Sequence, residues 1–130
     1  MSTIFPITKQ TTPICSAKAL TGSYVEAGRV GLDTQNFVGY TIRYTKGDET
    51  SLQMKIETSV DGGTTWDQQT TEIATGGSIA VTLAERTYTG SGNYAGIVSP
   101  IKADVIRFSV KATAGTPTGT VTIIALPSWV

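Results

Sequence analysis

The chain of 130 residues contains no histidine and a single cysteine. Without an imidazole it lacks the commonest general base and the commonest transition-metal ligand, which excludes Ser-His-Asp hydrolases and the usual zinc enzymes. Cys15, standing alone, cannot close an intramolecular disulfide, so the fold does not call for an oxidising compartment. Charge of one sign is missing too. Ten basic and ten acidic residues give a formal net charge of zero, and no block of like charges offers an electrostatic footprint for nucleic acid or an anionic membrane. No apolar run approaches the roughly 18 residues of a membrane span, and the opening "MSTIFPITKQTTP" has no basic stretch followed by a long apolar one. These absences predict a soluble chain made in a cytoplasm, with no cofactor and no direct contact with nucleic acid or membrane.

What is present is alternation. In "SLQMKIETSV" the residues Leu52, Met54, Ile56, Thr58 and Val60 share one face and Ser51, Gln53, Lys55, Glu57 and Ser59 the other, the period of two of a half-buried strand. "FVGYTIRYT" places Val38, Tyr40, Ile42 and Tyr44 together, and the loop "KGDET" joins these two segments. "DVIRFSVKA" sets Ile106, Phe108 and Val110 on one face, and "GTVTIIAL" does so with Val121, Ile123 and Ala125; the turn "GTPT" lies between them. "SIAVTLA" adds Ile79, Val81 and Leu83 after the Gly76-Gly77 break. Weaker strands are predicted over Phe5–Lys9, Ser16–Leu20 and Arg29–Asp33. The 14 scattered glycines disfavour a helical reading, since each costs a helix interior roughly 1 kcal/mol. An apolar content of 39% over this length suits one domain with one core. The expected fold is an all-β, antiparallel, jelly-roll-like sandwich of about eight strands. An N-terminal arm over about residues 1–13 and a short tail over about 126–130 are expected to pack against the sheet or a neighbour.

One motif stands out. Ser59, Asp61, Gly63, Thr65 and Trp66 match the Asp-box pattern Ser-x-Asp-x-Gly-x-Thr-Trp. The pattern describes a hairpin in which Asp61 accepts hydrogen bonds from turn amides, Gly62 and Gly63 permit positive φ, and the Trp66 ring folds back as a cover. In sialidases it recurs on successive propeller blades away from the catalytic residues; a single copy cannot make a propeller. A structural hairpin is therefore expected, with no catalytic, cofactor-binding or metal-binding residue assigned.

The longer order "YTIRYTKGDETSLQMKIETSVDGGTTW", followed later by "PIKADVIRFSVKATAGTPTGTVTI", resembles small β-sandwich virion proteins of tailed bacteriophages. In that group a Gly-Asp/Glu-Thr loop leads into an S-x-D-G-x-x-W hairpin, and a strand of the form I-R-x-S-V-K-A leads into a Gly/Thr turn. The resemblance spans roughly Asp33 to Ile124. It implies a non-enzymatic structural role in the virion, foremost as a capsid decoration or cement protein, whose partners would be the major capsid protein or other virion subunits and copies of itself. A tail or neck component is the alternative within that class. Ile4, Phe5, Ile7 and Trp129, at the two ends, are the expected interface residues.

Other constellations compete. Asp48, Glu49, Asp61 and Asp67 offer oxygen ligands for calcium, but lack the D-x-[DN]-x-[DN]-G spacing and read as solvated loop carboxylates. Glu57 and Glu72 are conceivable as a glycosidase pair, an arrangement that any sheet protein rich in carboxylates offers. Cys15, beside Ile14 and without a histidine to activate it, reads as a small buried hydrophobe. Tyr24, Tyr88, Tyr94, Trp66 and Trp129 are available as an aromatic platform for sugar rings, the rival reading as a carbohydrate-binding module, or as packing and contact residues.

Overall fold

The structure, a computed structural model, describes residues 13–98 and 102–129. Eleven strands and no helix occur among them: β1 (Cys15–Ala19), β2 (Val25–Gly31), β3 (Phe37–Thr45), β4 (Glu49–Ser59), β5 (Asp67–Gln68), β6 (Thr70–Thr75), β7 (Ser78–Leu83), β8 (Glu85–Tyr88), β9 (Gly92–Val98), β10 (Val105–Gly115) and β11 (Thr120–Ser128). β6 and β7 pair only with each other, and the other nine form two antiparallel sheets packed face to face. One has the order β1-β11-β3-β9; the other has the order β2-β10-β4, with β5 and β8 both paired to the far side of β4.

β5 and β8 occupy one strand position. β5 pairs Glu57↔Gln68 and Thr58↔Asp67, and β8 continues along β4 with Lys55↔Glu85 to Leu52↔Tyr88. The chain leaves this strand after Gln69, runs out and back as the β6-β7 hairpin, and returns at Ala84, whose amide donates to the Gln69 carbonyl at 2.8 Å. Counted that way, each sheet has four positions, and the chain crosses between sheets at every step except from β4 to its neighbour β5, which is the jelly-roll order. The fold class read from the sequence is the fold observed.

The alternating segments explain the core. Val38, Tyr40, Ile42 and Tyr44 of β3 meet Leu52, Met54 and Ile56 of β4, Ile106, Phe108 and Val110 of β10, and Val121 and Ile123 of β11, all buried. The Tyr40 and Phe108 rings join edge to face at a centroid distance of 5.5 Å. A slip of one residue in β4 would exchange this set for Gln53, Lys55 and Glu57, so the register is strongly specified.

Several expectations need correction. β2 begins at Val25, not Arg29. Its alternation is masked by a bulge, because Phe108 pairs with Gly28 while Ser109 pairs with Glu26, leaving Ala27 as the extra residue. Gly28 is needed there, since a Cβ would lie 2.6 Å from the Ile14 carbonyl. Val60 falls past the end of β4 and is exposed. Val81 and Leu83, expected to face a core, are 56% and 62% exposed because β6-β7 forms a ribbon of its own, paired with no other strand among the described residues. β11 runs through Ser128, so of the expected tail only Trp129 lies beyond it among the described residues. The strand expected at Phe5–Lys9, and Ile4, Phe5 and Ile7 with it, lie outside the described residues.

Candidate functional site

Each end of β4 holds a polar constellation built around one carboxylate. Past its C-terminal end the Asp-box residues converge in one turn. Asp61 Oδ1 accepts from the amides of Thr65 (2.8 Å) and Thr64 (3.1 Å) and from Ser59 Oγ (2.7 Å). Ser59 Oγ in turn accepts from the Gly63 amide at 2.8 Å. Gly62 and Gly63 take φ of 74° and 99°, the left-handed region that favours glycine. The Thr65 amide leads the donors that hold the Asp61 carboxyl down to about 2. The motif's carboxylate is thus directed into its own turn, while Asp104, from the loop before β10, accepts from the Gly62 amide at 3.1 Å and ties the turn to the sheet.

Trp66 extends from this turn across the outer face of the β2-β10-β4 sheet. A Cβ on Gly63 would lie 3.5 Å from its ring, and two guanidinium groups sit over it, Arg107 at 4.2 Å and Arg29 at 5.1 Å from the centroid. Both cations are themselves held. Arg29 makes a two-point contact with Glu26 (2.6 and 3.0 Å), and Arg107 Nε donates to Glu57 at 3.0 Å. Hydrogen bonding from Arg29 is the first cause keeping the Glu26 carboxyl below its usual range. Further along the same face, Lys55 and Lys111 approach the Tyr24 ring at 4.7 and 4.8 Å. Tyr24 Oη is sealed from solvent, and burial, followed by the nearby Glu85 charge, pushes its phenol well above the usual range. The face expected to be wet is a packed ladder of rings and paired charges; Lys55 is only half-buried, but Glu57 is buried.

At the N-terminal end of β4 stands a residue that sequence reasoning misplaced. Glu49, read as a solvated loop carboxylate, is fully buried. Its Oε2 accepts from Tyr44 Oη and the Gly47 amide, each at 2.6 Å, and its Oε1 accepts from the amides of Gly119 (2.7 Å) and Thr118 (3.0 Å). Burial pushes its pKa upward, and these four donors outweigh it, leaving the carboxyl at about 2. Burial first, then the hydrogen bond to Glu49 and its charge, hold the Tyr44 phenol high. Gly119 has no room for a side chain, because a Cβ would run into the Glu49 carboxylate. One side chain therefore clasps the β3-β4 and β10-β11 loops. No contiguous string marks this clasp, because its two loops lie about 70 residues apart in the chain.

The remaining constellations are dispersed. Asp48 lies at the Glu49 end of β4, whereas Asp61 and Asp67 lie at the opposite end; no group of three or more potential metal ligands occurs among the described residues. Glu57 is committed to Arg107, and Glu72 belongs to the projecting β6. Burial raises the Cys15 thiol pKa, with Lys18 and a backbone hydrogen bond opposing, and Sγ points to the Val121 carbonyl at 3.6 Å. The five rings occupy three places. Trp66 and Tyr24 lie on the charged face; Tyr88 and Tyr94 pack together at 4.7 Å against the core; Trp129 stands apart, its Nε1 donating to Thr34 Oγ1 at 2.8 Å. Arg86 reaches inward over Tyr40, with Nη2 donating to Gln69. Comparisons with protein-family models, curated proteins and solved structures return no match.

Among the described residues, large apolar side chains are exposed at Val60 past the end of β4, at Val81 and Leu83 on the ribbon, at Ile97 (61%) on the edge strand β9, and at Trp129 (66%) beyond β11. The outer face of the β1-β11-β3-β9 sheet carries Gly39, Thr41, Ala95, Thr122, Ile124 and Leu126, with Arg43 as its only charge on β3, β9 and β11.

Proposed function

We propose that this chain is a non-enzymatic structural protein of a tailed-phage virion, a decoration protein that cements the head by bridging capsid subunits. The observation that carries the reading is the placement of exposed apolar residues on the ribbon, on the edge strand β9 and past the end of β11, while the Asp-box carboxylate and Glu49 are directed into the protein's own loops. Such a surface is suited to contact with other proteins. The jelly roll is common to viral capsid and lectin domains; the separation of the five rings favours the former use, since a sugar platform needs rings brought together on one exposed plane. A cement protein works by burying surface across neighbours, which resists their separation without special chemistry. The N-terminal segment, with Ile4, Phe5 and Ile7, supplies part of that contact.

Counting the chain in purified particles of the phage that encodes it tests the reading. Hundreds of copies per particle are expected; tens or fewer would move the protein to the tail or neck, and its absence from particles would overturn the proposal. Deleting residues 2–12 is expected to leave the isolated domain folded and to reduce its binding to particles.

A further inference from the structure

An unpaired strand edge is a template for another strand, and folded proteins blunt such edges with bulges, charges, prolines or short lengths. Three of the four edge positions here are blunted. β1 carries Lys18 and a register shift between Cys15 and Lys18, with Ala17 at a φ of 46°. β2 carries Glu26, Arg29 and the bulge at Ala27. The position shared by β5 and β8 is broken by the ribbon and bears Glu85 and Arg86.

β9 has none of these devices. Its residues Gly92–Val98 pair with β3 in unbroken register from Val38↔Val98 to Tyr44↔Gly92, include no charge and no proline, and leave Ile97 exposed. Among the described residues nothing pairs with its other side. We propose that β9 is a self-association edge: a second copy of this chain adds its own β9 antiparallel across a two-fold axis, joining two four-stranded sheets into one.

The occupant follows from charge and position. A strand without charges can face itself with no like charges opposed, and a chain of net charge zero has little repulsion to hold copies apart. An antiparallel two-fold pairing presents the same patch from both partners, so Asn93, Ala95 and Ile97, exposed on one face of each strand, line up along a common ridge. The chain's own N-terminal segment, which precedes β1 at the opposite edge of the same sheet, is the competing occupant, and its deletion is one arm of the test below. The proposal does not depend on the virion reading, since it concerns the isolated protein.

The experiment uses the full chain in solution. Sedimentation equilibrium should show a monomer–dimer equilibrium, and Ala95→Lys, which places two lysines near the two-fold axis, should weaken it at least about tenfold. Thr87→Lys, on the exposed side of β8, should leave it unchanged, and thermal unfolding of both variants reports whether the domain is intact. Hydrogen exchange of the unaltered protein gives a reading independent of any variant: amides of β9 should slow over about a hundredfold rise in concentration while those of β1 and β2 do not. A protein monomeric throughout, a dimer equally tight in folded Ala95→Lys, β9 exchange indifferent to concentration, or a dimer abolished by deletion of residues 2–12 but not by Ala95→Lys would each overturn the proposal.

Discussion

Both ends of β4 are tied by a carboxylate whose pKa is held at about 2, yet the two are built differently. Asp61 is exposed, and its own hydrogen bonds run to residues two to four positions away. Glu49 is buried, and half of its bonds reach a loop some 70 residues further along the chain. Water shares the care of Asp61; only the protein satisfies Glu49. A polar group removed from water becomes costly to disturb, whereas an exposed one can be resolvated. The Glu49 clasp should therefore govern global stability, and the Asp-box turn should govern local order.

The largest effect is expected from Glu49→Ala, which strands four donors in a closed space. Its cost should be on the order of 3–5 kcal/mol in equilibrium denaturation; a cost comparable to that of the Asp61 substitution would break the comparison. Next comes acid. A carboxyl at about 2 in the folded chain and 4.5 unfolded contributes stability that is fully present above pH 4.5 and is lost as pH falls toward 2, on the order of 3 kcal/mol. Urea titrations across that window should show the loss, and Glu49→Gln should remove the Glu49 share of that slope while leaving the share of Asp61, whose carboxyl is also held low. Trp66→Ala should cost about 1–2 kcal/mol, since the half-buried ring loses two cations rather than a place in the core. Asp61→Ala should lower the thermal midpoint least, while speeding hydrogen exchange at the Thr64 and Thr65 amides.

The same contrast explains what could be read from the sequence. The Asp-box turn is local, so its pattern appears as a contiguous string. The partners of Glu49 lie on another strand connection, and an acidic residue beside Gly47 and Asp48 reads as a loop until Gly119 is placed against it. In the core, β3, β4, β10 and β11 were legible because each keeps an unbroken alternation that turns one apolar set inward. β2 was displaced because Ala27 and Gly28 interrupt its period at a bulge. The ribbon misled for a different reason: alternation in Ile79, Val81 and Leu83 reports two unlike faces, and says nothing about whether another sheet stands opposite. The packing of rings and paired ions on the outer face of the β2-β10-β4 sheet was likewise invisible, since Trp66, Arg29 and Arg107 come from three separate segments.

The ribbon has a consequence for what the fold can accept. The chain leaves at Gln69 and returns at Ala84, two residues joined by a backbone hydrogen bond, so the intervening segment is a detour from an otherwise continuous strand. Its length and content can vary without altering the spacing of anything behind it. This makes the Gly76-Gly77 tip, where both residues have positive φ, a natural graft point: a foreign peptide inserted there would be carried outward on a stalk, and a stalk trimmed back to a short turn would leave the jelly roll intact.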